Sequence, residues 1–177
     1  GVAISKWDKG DRPASYFADY GQKIENDQFE VSENGTYTIY IKDKAGNEVV
    51  QTVNISTIDN DAPVIGLTVP TTWTKGSVTI GTTITDQSSL IVAKKWALGE
   101  QDAEFFHTDA NGSEITGSSF TVDDNGTYTV YVKDQAGNEA VSYVTIDSID
   151  TVAPTMSLHP DNTWTNGEAV ITTDITD

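Results

Sequence analysis

Short runs in which apolar and polar residues take turns dominate the chain. Tyr37, Ile39 and Ile41 alternate with Thr38, Tyr40 and Lys42, and Val53 and Ile55 alternate with Thr52, Asn54 and Ser56. A period of two sends successive side chains to opposite faces of a strand, so each run offers one face to a core. The pattern recurs at Tyr128, Val130 and Val132, and again at Val144 and Ile146. Further strands are expected at 29–31, 120–122, 64–69, 77–84, 90–96, 104–106 and 169–175. Helical periodicity is hard to find. Thr and Val enrichment, together with regular Asn-Gly and Gly turns, predicts an all-β antiparallel sandwich.

The alternation belongs to a repeat. Residues 34–50 read NGTYTIYIKDKAGNEVV and residues 125–141 read NGTYTVYVKDQAGNEAV, an offset of 91. That offset also carries Ala62-Pro63 onto Ala153-Pro154 and Thr72-Trp73-Thr74 onto Thr163-Trp164-Thr165. From Gly35 to Pro63, 18 of 29 positions equal their partners, so the copied object is a whole domain of about 90 residues. Upstream the offset falls to 89, pairing Trp7 with Trp96, because FADYG at 17–21 becomes FHTDANG at 106–112.

Within each copy the turn chemistry is explicit. Asn34-Gly35 and Asn125-Gly126 are expected to make tight entry turns, since both residue types tolerate left-handed backbone. Lys44-Ala45-Gly46-Asn47 and Gln135-Ala136-Gly137-Asn138 supply compact hairpin loops in which Gly46 and Gly137 take positive φ. Asp43 and Asp134 then act as caps that accept backbone N–H bonds.

Composition narrows the chemistry. The chain has 177 residues, no cysteine and a formal net charge of -17. No disulfide, thiolate metal site or thiol nucleophile is available. The acids are spread along the sequence, so the surface repels nucleic acid and anionic membranes and favours cations. No run approaches the 18 apolar residues of a membrane span, so direct membrane insertion is not expected. Because the chain opens on Gly1 rather than Met, it is expected to be a processed or excised piece of a longer protein.

No catalytic motif is present. His107 and His159 lie in unrelated places, neither is kept in its partner copy, and no phosphate loop, HExxH or nucleophile elbow occurs. A non-enzyme is therefore expected. Calcium is the stronger chemical expectation, because it takes several oxygen ligands and a site at a domain junction stiffens the link. Asp59, Asn60 and Asp61 cluster at one junction, and Asp150 stands at the corresponding position of the next. Asp109, Asn111 and Ser113 resemble the first half of a calcium loop, but position 120 is Phe where the closing acid should be. Matched tryptophans, Trp7 with Trp96 and Trp73 with Trp164, are expected to pack. If exposed together, Trp96, Phe105 and Tyr16 would form a glycan-stacking platform. Asn34, Asn54, Asn111 and Asn125 each begin an Asn-x-Ser/Thr sequence, and turn geometry accounts for three of them.

Asp124-Asn125-Gly126-Thr127-Tyr128-Thr129-Val130 resembles the F-strand entry of immunoglobulin-like domains, with Val130, and Ile39 in the first copy, standing where the disulfide cysteine would be. The chain is more similar to tandem bacterial Ig-like (Big-type) repeats of secreted or cell-surface proteins. Those run from an Ala-Pro link through Trp-Thr and Ile-Thr-Asp to Gly-Thr-Tyr-Thr and Asp-x-Ala-Gly-Asn, and residues 61–150 contain each element. The resemblance implies an immunoglobulin-like antiparallel β-sandwich, repeated in tandem without disulfides, in an extracellular or cell-surface setting. It implies a non-catalytic spacer or stalk whose partners are adjacent domains of the same polypeptide. The alternative is an adhesin or carbohydrate-binding module that reads a glycan or host protein through the variable loops 8–28 and 97–119.

Phase is set by the Ala-Pro links. Proline fixes φ and extends the residue before it, giving the C-terminal part of a domain at 1–60, a complete domain at 61–151, and the first strands of another at 152–177. An alternative phase makes two repeats, 1–86 and 87–177, each ending in Ile-Thr-Asp. A third arrangement has residues 152–177 complete the unfinished domain at 1–60, in cis or by strand exchange with a neighbouring chain.

Overall fold

The computed structural model describes all 177 residues, and they divide between Asn60 and Asp61 into two compact units. The architecture is all-β, antiparallel and multi-sheeted, of the β-sandwich kind, and contains no cysteine to bridge.

The first unit is a single sheet. Strands β1 (Val2–Lys9), β2 (Gln22–Lys23), β3 (Gly35–Asp43) and β4 (Glu48–Ile55) lie in the order β2-β1-β3-β4. Trp7 pairs with Ile39, and Gly35 with Ile55. A 3-10 turn at Ala14–Ala18 buries Phe17, which stacks on Tyr40 with ring centroids 5.2 Å apart. The sheet therefore buries side chains on both faces, since Tyr37 and Tyr40 alternate along β3 and both are buried.

The second unit contains the same sheet and adds another. Strands β5 (Val64–Thr68), β6 (Val78–Thr85), β7 (Ile91–Leu98), β8 (Ser113–Glu114), β9 (Ser119–Val122), β10 (Gly126–Asp134) and β11 (Glu139–Ile146) form two sheets, β5-β6-β9 and β11-β10-β7-β8. Both sheets contribute to one core, in which Val78, Ile80 and Val122 meet Val130, Val132 and Ile146. Trp96 packs against that core and stacks on Phe120 at 4.8 Å. A smaller cluster of Ala97, Phe106 and Tyr131 lies on the other face of β7 and β10. Beyond β11, β12 (Thr155–Pro160) and β13 (Ile171–Thr176) pair with each other alone, and every residue of both is exposed.

Two expected strands take other forms. Glu104–His107 is a 3-10 turn, opened by Asp102 Oδ1 accepting the Phe105 N–H at 3.0 Å, and it turns Phe106 onto Tyr131 at 4.8 Å. Residues 29–31 form no strand, whereas their counterpart β9 does. The reason is the partner: β9 pairs with β6, and the first unit contains no counterpart of β6. The turn at Asn34 is also different in kind. Neither Asn34 nor Asn125 takes positive φ. Each amide instead clamps a distant backbone, Asn34 to Ile58 at 2.7 and 3.0 Å and Asn125 to Ile149 at 2.7 and 3.0 Å.

Candidate functional site

β6 ends in Ile84-Thr85 and is followed by Asp86-Gln87-Ser88-Ser89. Asp86 Oδ1 accepts the N–H groups of Ser88 at 2.9 Å and Ser89 at 2.7 Å, an Asp-type turn that stops the strand. Its other oxygen, Oδ2, is shielded from solvent and has no hydrogen-bond partner, and the Ser89 hydroxyl oxygen is similarly placed. A buried, unsatisfied carboxylate oxygen is costly unless something positive or hydrogen-donating meets it.

Asp134 ends β10, where the ladder to β7 shifts register between Lys133 and Asp134. It is 1 % exposed. Its Oδ1 accepts the N–H groups of Gly137 at 2.7 Å and Asn138 at 2.8 Å, and Oδ2 accepts Asn138 Nδ2 at 2.8 Å. Burial alone would raise this carboxyl. The Asn138 side chain, the two N–H groups and the nearby Ser89 hydroxyl outweigh it, and the group is held below the usual carboxylate range. Asp134 is therefore a carboxylate at neutral pH, and one of its oxygens lies within 4.8 Å of one from Asp86.

Asp61 lies on the Asp86 side of this pair. With Ala62, Val64, Thr85, Asp86 and Gln87 it lines a cleft of about 300 Å³ at the mouth where the chain enters the second unit. Two oxygens on opposite sides of one calcium ion stand about 4.6–5.2 Å apart, so the Asp86–Asp134 spacing fits a shared divalent cation.

Asp61 joins Asp86 in one cleft, while Asp59 and Asn60 close the first unit. Asp150 sits elsewhere in the second unit: its N–H donates to Thr74 O at 2.8 Å, its Oδ1 accepts the Val152 N–H at 2.9 Å, and it shares a cleft with Trp73, Lys75 and Asp177. Asp86 was not among the expected ligands, and Asp134 was expected only as a cap. The available signal was the Ile-Thr-Asp ending at 84–86, repeated at 175–177. The expected aromatic platform is dispersed. Trp96 is taken up by the core, Phe105 packs on the smaller cluster edge-on to Phe106, and Tyr16 in the first unit donates to Asp8 Oδ2 at 2.5 Å and stacks on Tyr20.

A second polar group surrounds Glu139. Tyr131 Oη donates to Oε1 at 2.8 Å, Lys133 Nζ lies 3.1 Å from it, and His107 Nε2 is 3.0 Å from both oxygens. Burial acts to raise Glu139, yet hydrogen bonds from His107, Tyr131 and Lys133 prevail and bring it down to about 2. Burial, with the Glu139 charge added, pushes the Tyr131 phenol well up. The adjoining groove, about 420 Å³, is lined by Lys95, His107, Asp109, Glu114, Tyr131 and Lys133 among others. In the first unit Tyr40 and Lys42 hold Glu48 in the same way, each at 2.8 Å, and Ala18 replaces the histidine.

Compared with models of known protein families and with curated proteins, the chain finds no match.

Proposed function

We propose that the chain is a run of immunoglobulin-like modules serving as a non-catalytic spacer or stalk in a bacterial extracellular or cell-surface protein, with calcium held at the module mouth by Asp86, Asp134 and Asp61. The observation that carries this reading is where the repeated polar groups spend their hydrogen bonds. Tyr37 and Tyr128 donate to the carbonyls of Glu33 and Asp124, at 2.6 and 2.8 Å. Thr38 and Thr129 each bridge Gly10 or Gly99 to the chain two residues on. Asn34 and Asn125 clamp backbone, and Asp43 and Asp134 cap hairpins. What is copied between the modules is scaffold, and a tyrosine bonded back to a carbonyl four residues upstream is a corner that immunoglobulin-like domains carry.

Calcium suits the mouth because its donors are all oxygen and two of them, Asp86 Oδ2 and Ser89 Oγ, lack hydrogen bonds. The second reading, a binding module, is favoured by one observation. The groove beside His107 gathers Lys95, Lys133 and a histidine together with Asp109 and Glu114, next to the loop that differs most between the copies.

One pair of measurements separates them. A stalk with a calcium mouth gains several degrees of melting temperature when calcium is added to a chelated sample, and Asp86→Asn removes that gain; an equal gain in the variant rejects the site. A binding module captures glycan or host protein on an array, and Phe105→Ala abolishes capture with unchanged melting. Such capture would replace the stalk reading.

A further inference from the structure

Where the chain leaves the two-sheet sandwich of the second unit, a short segment is pinned on both edges and in the core. Residues 148–150 follow β11 and lie outside its ladder. On one edge, Thr74 N–H donates to Ser148 O at 2.9 Å and Asp150 N–H donates to Thr74 O at 2.8 Å. On the other, Asn125 Nδ2 donates to Ile149 O at 2.7 Å and Ile149 N–H donates to Asn125 Oδ1 at 3.0 Å. The Ile149 side chain is buried in the core with Val130 and Ile146. Thr74 belongs to the connection between β5 and β6 in one sheet, and Asn125 immediately precedes β10 in the other. The exit segment therefore ties the two sheets together.

The direction of the strands decides what these bonds resist. Val64 pairs with Thr85, beside Asp86, so β5 starts at the mouth and runs away from it. Gly126 pairs with Ile146, and Asp134 at the opposite end of β10 lies near Asp86, so β11 also runs from the mouth to the far end. The first and last strands of the sandwich are thus parallel, and they lie alongside each other. The bridge between Thr74 and Ile149 is parallel as well. Tension applied through Ala62 and Thr151 draws β5 toward the mouth and the exit segment the opposite way. The two slide along each other, and bonds that run between neighbouring strands are then loaded together rather than opened one by one. Load arriving at Thr151 meets Thr74 and Asn125 before it reaches the β10–β11 ladder.

We propose that residues 148–150, held by Thr74 and Asn125, are the load-bearing latch of the module. The latch keeps β11 in register with both sheets until its bonds fail together. Its asparagine half is copied in the first unit, where Asn34 holds Ile58 at 2.7 and 3.0 Å. The tension itself rests on the stalk reading, while the latch rests on strand direction and hydrogen bonding and does not depend on calcium.

Because the chain has no cysteine, pulling handles attached through Ala62→Cys and Thr151→Cys load the second unit within the full chain. With a chelator present, Asn125→Ala should lower the force at which that unit gives way by roughly half, since it removes two of the four latch bonds. Asn125→Asp keeps the shape but turns an oxygen toward Ile149 O, and should lower the force in the same sense. Gly137→Ala is strained, because Gly137 stands at φ 100° in the hairpin at the mouth, and should lower the melting temperature while leaving the end-to-end force unchanged. Handles attached through Ala62→Cys and Ala136→Cys, both at the mouth end, bypass the exit, and there Asn125→Ala should match the unmodified chain. An end-to-end force that neither Asn125 variant lowers, one that Gly137→Ala lowers as much, or a loss equal in both loading directions would each overturn the latch. Glycan or host-protein capture, which would replace the stalk reading, leaves the force difference standing, so the two readings fail separately.

Discussion

Val130 and Ile39 stand at equivalent positions, each opposite a tryptophan in the same antiparallel register, yet one is wholly buried and the other is not. Around them the two units agree closely. The tryptophan–tyrosine ring centroids lie 5.8 and 5.7 Å apart, and the 3-10 phenylalanine stacks on the strand tyrosine at 5.2 and 4.8 Å. The difference is the sheet β5-β6-β9, which the first unit lacks. One sheet with its turn and aromatic clusters keeps its local geometry, but only a second sheet removes its apolar face from water. The same lack separates the two hairpin aspartates. Asp43 and Asp134 accept the same kind of bonds from Asn47 and Asn138, but only Asp134 is sealed in, beside Asp86 at the end of β6.

The comparison is broken most directly in the core. Val130→Ala should destabilise the second unit by about 2–3 kcal/mol, the transfer loss plus a cavity that two facing sheets cannot close. Ile39→Ala removes more carbon yet should cost only about 1 kcal/mol in the monomer, because its surroundings already touch water. Urea unfolding followed by amide hydrogen exchange in β3 and in β10 measures both, and equal losses would mean that the first unit's face is covered.

Next in size is the calcium response. It should report on unfolding of the second unit, where Asp86 and Asp134 share the mouth. Asp43→Asn should leave it in place, since no counterpart of Asp86 exists in the first unit.

The smallest effect is a pH dependence that sharpens the contrast at His107. Glu139 is depressed in the folded state to about 2 from an ordinary value of 4.5. Its contribution is therefore complete above the ordinary value and is lost as pH falls from there through about 2. Glu48 is also lowered, by Lys42 first and Tyr40 next, without a histidine. His107→Ala should thus raise the folded-state titration of Glu139 and narrow the acid window over which stability is lost. NMR titration of the carboxyl carbons would show it; an unmoved Glu139 would show that His107 contributes nothing there.

Much of the fold was legible in the sequence. Period two marked the long strands at 35–43, 48–55, 126–134 and 139–146, and Asp-x-Ala-Gly-Asn marked the hairpins with Gly46 and Gly137 at φ 95° and 100°. The strand expected at 104–106 failed because Phe105 and Phe106 follow Asp102, whose carboxylate caps a tighter turn. The strand expected at 29–31 failed because a strand needs a neighbour. The site was less legible. Asp61 was visible as part of an acidic junction, but Asp86 follows β6 and Asp134 ends β10, far apart in the chain, and nothing local shows that the two meet.

The sequence by itself determined the long strands β3, β4, β10 and β11, their Asp-x-Ala-Gly-Asn hairpins, the absence of disulfides and which face of each of those strands is apolar. Those properties are decided within a few residues, by side-chain alternation and by carboxylates and amides that bond nearby backbone. Only the tertiary structure decided which apolar face is covered, that Trp96 belongs to a core, and that the Asp86 carboxylate lies beside Asp134. Burial and cation geometry depend on what a second, non-local sheet brings alongside, and the first unit, with the same local sequence and no such sheet, shows how little of that the local sequence can supply.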